Sequence, residues 1–243
     1  MRLSFLRISI PVVLIAFMAS AIIALRAPAA DPPAKAPPTS DPPAKPAPAA
    51  NWQSLFDGKT LGKWQVSDFA GHGTPEVEDG NIVLPFGEAL TGITYSGEVP
   101  KMNYEIELQA KKVNGSDFFC GLTFPVNDSF ASLICGGWGG TIVGISSLDE
   151  KDANRNETRL SRKFDKDKWY TIRMRILPDR LMAWIDNEKV VDVATTGRKI
   201  STRVEVEASK PFGISSYQTT AALRQIRIRT LNPDEIPATQ PAK

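Results

Sequence analysis

From residue 51 to residue 231 apolar and polar side chains alternate with a period of two, and this pattern confines the chain to β structure. "NYEIELQAKK" (103–112) sets Tyr104, Ile106, Leu108 and Ala110 against Glu105, Glu107, Gln109 and Lys111. "WYTIRMRIL" (169–177) sets Tyr170, Ile172, Met174 and Ile176 against Thr171, Arg173 and Arg175. Successive side chains of a strand point to opposite faces, so each run offers one face to a core. "LMAWID" (181–186), "KVVDVA" (189–194), "RVEVE" (203–207), "FGISSY" (212–217) and "LRQIRIRTL" (223–231) read as further strands. Pro178-Asp179, Asp186-Asn187 and Lys210-Pro211 supply turns between them. Many short alternating strands, with no helical period, predict an all-β antiparallel sandwich or barrel.

One hairpin can be placed in register. "DFFCGLTFPV" and "SFASLICGG" flank Asn127-Asp128, and a two-residue loop pairs Val126 with Ser129. Leu122 then faces Leu133, Phe124 faces Ala131, and Cys120 faces Cys135, the chain's two cysteines. Phe118, Cys120, Leu122, Phe124, Ala131, Leu133 and Cys135 fall on one core face. The cysteines admit a disulfide in an exported protein, or two buried thiols acting as small hydrophobes.

The flanks have other compositions. Residues 1–29 read as an export signal: Arg2 and Arg7 precede the apolar run Ile8–Leu25, and Ala27-Pro28-Ala29 is a small-x-small cleavage pattern. The run also approaches the length of a membrane span, so a cleaved signal peptide and a retained anchor, tethered through residues 8–25, both stand. Either predicts an exported protein, periplasmic, secreted or anchored at an outer face. Residues 30–50 repeat DPPAK and read as a semi-rigid Pro/Ala-rich linker, because proline lacks an N–H and fixes φ. Residues 232–243 read as a flexible Pro-rich tail. The formal charge of +2 includes Arg2, Arg7 and Arg26; without them 26 basic residues face 27 acidic ones. A nucleic-acid partner, which needs a basic face, is not expected.

His72 is the only histidine, which excludes paired-histidine metal chemistry. "GGWGG" (136–140) has no following Lys-Ser/Thr and is no phosphate loop. Its glycines leave Trp138 either tucked across an edge or exposed as a stacking platform for the apolar face of a sugar. The longest polar stretch, "SSLDEKDANRNETRLSRKF" (146–164), holds Asp149, Glu150, Asp152, Asn154, Asn156 and Glu157 with Arg155 and Arg159. Asp152, Asn154 and Asn156 have the spacing that starts a calcium loop, but Glu157 and Lys163 break the EF-hand pattern. Calcium ligation and a solvated loop are both open readings. Glu105/Glu107 and Glu205/Glu207 project in pairs from expected strands, at a spacing of about 7 Å that suits two-carboxylate glycoside hydrolysis in principle. Charged, solvated outer faces are the other reading, and the E-x-D-x-x-E array of the laminarinase-like glucanases is absent.

"WQSLFDGKTLGKW" (52–64) resembles the LF-(N/D)-G-K-x-L-x-x-W start of the bacterial 3-keto-disaccharide hydrolase domain family. Further stretches resemble the family in order: "VEDGNIVL" (77–84), "NYEIELQAKK", "DKWYTIRMRILPDRLMAWIDNEKVVDV" (167–193) and "PFGISSYQTTAALRQIRIRTL" (211–231). The resemblance covers nearly all of 51–231. It implies a concanavalin-like jelly roll of two antiparallel sheets that binds carbohydrate on its concave face. It also implies hydrolysis of 3-keto-disaccharides, in which the keto group acidifies the C2 proton and the linkage leaves by elimination and hydration. That route needs a base near C2 and an electrophile or metal near the ketone. The family's N-S-G-x-F-x-R segment is replaced by "FFCGLTFPV", with the glycine kept as Gly121 and the arginine absent. No catalytic residue therefore carries over by motif. Under the enzyme reading the base is Glu157 or His72, with Trp138, Asp149, Asn154 and Arg159 on the substrate. The alternatives are a non-catalytic, lectin-like carbohydrate-binding module and an envelope interaction domain.

Overall fold

The structure, a computed structural model, describes residues 51–237. The expected signal or anchor with its 8–25 tether, the 30–50 linker and residues 238–243 lie outside the described residues. The first strands are β1 (Gln53–Ser54), β2 (Trp64–Val66), β3 (Glu76–Glu78), β4 (Asn81–Leu84), β5 (Leu90–Tyr95), β6 (Tyr104–Gly115), β7 (Cys120–Val126) and β8 (Ser129–Gly136). The remainder are β9 (Ile142–Ser146), β10 (Leu160–Ser161), β11 (Trp169–Ile176), β12 (Arg180–Ile185), β13 (Glu188–Ala194), β14 (Gly213–Tyr217) and β15 (Thr219–Thr230). The first sheet runs β13-β12-β11-β6-β15-β4-β3, with β1 also on β15; the second runs β10-β9-β8-β7-β14-β5-β2. Both are antiparallel, and together they form the concanavalin-like jelly-roll sandwich that the alternation and the resemblance predict.

The inner faces carry the apolar halves of the alternating runs. Ile106, Leu108, Ile172 and Met174 from the first sheet share one core with Leu122, Phe124, Leu133 and Ile145 from the second. The phenol of the fully buried Tyr104 crosses between the sheets and donates to the Pro125 carbonyl at 2.7 Å. The expected hairpin register holds from Val126–Ser129 to Cys120–Cys135. Phe118, expected on the core face, instead lies on the outward face and Phe119 takes the core place, because the Phe119 N–H bonds the Cys135 carbonyl and breaks the alternation there. On β15 the register shifts between Arg224 and Arg227, with Gln225 at φ 51°. This bulge lets Leu223 and Ile226, three residues apart, both face the core, where strict alternation would expose one of them.

Two expectations change. Residues 203–207 form no strand; Val204–Ser209 is a 3-10 turn. Its polar groups find local partners instead of a ladder: the Val206 N–H bonds the Arg203 carbonyl, Arg203 pairs with Glu205, and Lys210 pairs with Glu207. Nor is the start of the tail loose, since Pro233–Glu235 is a 3-10 turn with a capping box at Asn232.

The outward face of the first sheet is not simply solvated either. Glu105 is fully buried there, bonded at 2.7 Å by Arg175 from β11 and at 2.7 Å by Arg229 from β15. Arg229 also grips Glu235 through two bonds of 2.7 Å. Removing one member of such a group leaves an uncompensated buried charge. Glu105→Ala should therefore cost about 3–5 kcal/mol of stability in urea unfolding. The Arg229 guanidinium holds Glu235 down from 4.5 to about 2. A lowered carboxylate pKa stabilises the fold above the unfolded value, and that contribution is lost as pH falls from 4.5 towards about 2. Glu235→Gln should flatten this acid limb in pH-dependent unfolding while leaving the slope above about pH 6 unchanged, more than one unit clear of the unfolded value of 4.5.

Candidate functional site

The second sheet turns small residues outward. Gly121 and Thr123 on β7, Ser132 on β8, Gly144 and Ser146 on β9, and Ser215 on β14 alternate with the core positions of their strands. Segments from elsewhere lie on this face. A Cβ at Gly121 would sit 2.9 Å from the Phe118 ring, so only glycine lets that ring lie flat. Phe69, Leu90 and Val206 form a second apolar cluster with Phe118, Ala208 and Tyr217. Phe118 stacks on Tyr217 with centroids 5.9 Å apart and planes at 25°.

Between these covers and the glycine turn 137–140 a cleft of about 280 Å³ remains, walled by Asp117, Phe118, Trp138, Arg203, Glu205 and Tyr217. Trp138 is 38% exposed and stands in the left-handed region at φ 49°, ψ 60°. That backbone costs a bulky residue about 1–3 kcal/mol and persists only where neighbours impose it. Ser132 and Ser146, opposite each other in register, also face the cleft. Ser132 shares a 2.8 Å hydrogen bond with Thr123, whereas the buried Ser146 hydroxyl has no protein partner. A buried hydroxyl without a partner costs about 1–3 kcal/mol, which a ligand's polar group would offset.

Two carboxylates reach the cleft. Arg203 grips both oxygens of Glu205 and holds its carboxyl below the usual range; one of its nitrogens also meets Asp152 at 3.2 Å. Asp117 accepts the N–H of Phe118 at 2.8 Å and that of Gly139 at 2.9 Å. The arrangement offers aromatic faces for stacking an apolar ring face, a cation–carboxylate pair for polar groups, and a hydroxyl floor.

Of the residues expected from the sequence, Trp138 alone lines this cleft. His72 lies in an exposed loop, its Nδ1 2.7 Å from the Gly73 carbonyl. Glu157 is ion-paired to Arg198, which lowers its pKa and weakens it as a base. Asp149 accepts the Lys199 N–H at 2.9 Å and also pairs with Arg198; the first contact does most to lower its pKa. Arg159 donates to Asn154 at 2.9 Å. Asn156 does not offer a calcium ligand. Its buried amide nitrogen donates to the carbonyls of Ile145, Lys151 and Asp152, while its oxygen accepts from Thr158 at 2.6 and 3.0 Å. Asp152 is likewise taken up by the Asn154 N–H and Arg203. The polar loop is a hydrogen-bonded knot, and the residues present do not fit a calcium site. Among the described residues no cluster of three His, Cys, Asp or Glu is placed to hold a metal. Cys120 and Cys135 sit side by side as free buried thiols, and the Cys135 thiol is pushed well up by its hydrogen bond with Cys120 and by burial.

Asp117, Phe118, Arg203, Tyr217, Ser132 and Ser146 are not singled out by the sequence, and Glu205 is raised there only as one of a carboxylate pair with Glu207, the pair that reads mainly as a solvated face. One signal was available: the hairpin brings its two ends together just beyond the Cys120–Cys135 pair, so Asp117 and the glycine turn that carries Trp138 are neighbours.

The sequence profile of the 3-keto-alpha-glucoside-1,2-lyase-like domain matches residues 51–229. The chain belongs to this family. The domain therefore spans both sheets and both walls of the cleft. No curated protein matches the chain. Among solved structures, the Crh5 transglycosylase in complex with NAG is similar at 14% identity and a TM-score of 0.52, covering 76% of this chain and 86% of its own. The VIP36 exoplasmic/lumenal domain, in its Ca2+/Man3GlcNAc-bound form, is similar at 13% identity and a TM-score of 0.50, covering 72% of this chain and 87% of its own. At such identities the likeness establishes the fold.

If the 149–158 loop is a structural knot, Asn156→Ala should lower stability by at least ~2 kcal/mol, because several buried carbonyls lose their donor at once. Excess calcium should leave the melting temperature of the native protein unchanged. A calcium-dependent rise in thermal unfolding would instead show that the loop opens to bind the ion.

Proposed function

We propose that this exported domain binds a short 3-keto glycoside in the cleft on the second sheet and cleaves its glycosidic bond. The observation that carries the reading is the Arg203–Glu205 pair, set in one cleft with Trp138 and the unpartnered Ser146 hydroxyl. The membership of the domain family supports the reaction, and the two similar solved structures are both of sugar-bound proteins. A ketone at C3 acidifies the proton on C2. Glu205 takes that proton, the electron pair forms the C1–C2 double bond, and the aglycone leaves C1 as its alkoxide and takes up a proton. Water adding to C1 with a proton returning to C2 completes hydrolysis. Arg203, exchanging part of its bond to Glu205 for the ketone oxygen, stabilises the negative charge that develops there. Trp138 stacks on the apolar face of a ring.

A specific observation favours a second reading, a non-catalytic carbohydrate-binding module. Both cleft carboxylates are already engaged, Glu205 by Arg203 and Asp117 by backbone N–H groups. The N-terminal segment supports export to the periplasm, the medium or an outer membrane face.

Incubation of the protein with 3-keto-trehalose and 3-keto-lactose separates the readings. The enzyme releases free sugar, and Glu205→Gln lowers turnover by about 10²-fold or more. Because Arg203 depresses the Glu205 pKa, the rate should persist as pH falls and drop only below the ordinary glutamate value of 4.5. Full turnover in both Glu205→Gln and Arg203→Ala overturns the assignment of the base. Saturable binding without turnover establishes the module.

A further inference from the structure

The bulkiest side chain on the cleft wall stands on an unfavourable backbone, so something must hold it there. Thr141 closes the turn by bonding the Gly137 carbonyl at 3.2 Å. Gly140 presses against the Ser116 carbonyl, which a Cβ would meet at 3.1 Å. The side-chain tether is Asp117, whose Oδ2 accepts the Gly139 N–H at 2.9 Å, next to Trp138. Its Oδ1 accepts the Phe118 N–H at 2.8 Å. One carboxylate thus fastens the turn that presents Trp138 to the segment that presents Phe118. The Asp117 main chain is anchored separately, its N–H bonded to Thr219 Oγ1 at 3.1 Å and its carbonyl accepting that hydroxyl at 3.0 Å. The side chain is therefore not needed to place its own backbone.

We propose that Asp117 is a positioning residue that locks Trp138 as a preorganised stacking platform, and that ligand affinity in the cleft passes through this tether. The affinity half of the proposal rests on the reading of the cleft as a sugar site. A rigid platform loses less freedom when the ring docks, and an ionised acceptor makes the stronger bond to an amide N–H.

The test uses the full-length protein with Asp117→Ala, Asp117→Asn, Trp138→Ala and the Asp117→Ala/Trp138→Ala pair. Trp138 is read by acrylamide quenching, after subtraction of the Trp138→Phe signal, and 3-keto-trehalose binding by calorimetry. Asp117→Ala should raise the quenching of Trp138 and weaken 3-keto-trehalose about tenfold. Asp117→Asn, which keeps one acceptor oxygen, should fall between it and the native protein. In the Trp138→Ala background Asp117→Ala should weaken binding no further, because the residue acts through the missing ring. Unchanged quenching overturns the proposal, and so does a full tenfold loss that persists without Trp138. Should Asp117→Ala fail to fold, the Asn variant carries both readouts. If the native protein binds no 3-keto-trehalose, the sugar reading fails, while quenching still decides whether Asp117 holds Trp138.

Discussion

Glu105 sits on the outward face of the central strand of the first sheet, fully buried between Arg175 and Arg229. This single placement constrains three neighbouring strands. Side chains on β6, β11 and β15 alternate between the core and the outside, so a slip of one residue would drive Glu105 into the apolar core, take the partner from Arg175 and leave Arg229 with Glu235 alone. The cost of a buried, unpaired charge exceeds that of any single misplaced apolar group. The same strand places Tyr104 one residue earlier, on the core side, where its hydroxyl ties the sheets together through Pro125. Register in the first sheet and the spacing of the two sheets are thereby coupled at adjacent residues.

Register also builds the cleft in the second sheet. The pairing that sets Cys120 against Cys135 on the core side sets Thr123 against Ser132 on the other side, and β9 adds Ser146 beside Ser132. Small side chains on this face leave room for Phe118 and for the covers at Phe69 and Val206. The site is thus assembled from the end of one hairpin and from a turn about seventy residues later in the chain, brought together because β14 pairs with β7.

This division explains what could be read from the sequence. Alternation is a local signal, and it revealed most of the long strands and the hairpin register, since each run must present one face to the core. It misread 203–207, where Val204 and Val206 alternate with glutamates just as a strand would. In the fold Val206 is buried and Val204 is 80% exposed, and only a turn serves one apolar residue so unequally with its neighbour. The 146–164 stretch drew notice by its density of carboxylates and amides. Density does not reveal whether those groups face a ligand or each other, and Asn156 shows them turned inward on main-chain carbonyls. Trp138 was legible because glycines on both sides of a lone tryptophan mark an unusual backbone. Arg203 was not, and Glu205 was visible only as half of a strand-face carboxylate pair, because their place beside Trp138 depends on the non-local pairing of β14.

The chemistry of the cleft turns on how tightly Arg203 and Glu205 hold each other. A carboxylate in a two-point ion pair is a weak base, and a guanidinium with an acceptor already in place has less to offer a developing oxyanion. On the proposed reading, a 3-keto sugar changes that balance. Its ketone oxygen competes for Arg203, and each bond it takes from Glu205 returns basicity to the carboxylate next to the acidified C2 proton. Substrate binding and activation of the base then become one event. An ordinary glycoside, which carries a hydroxyl at C3, neither acidifies C2 nor develops charge at that oxygen, so it would dock against Trp138 with the ion pair closed. If the proposed reaction holds, the same cleft would act as a binding module towards an ordinary sugar and as a lyase towards an oxidised one, with the ion pair discriminating between them.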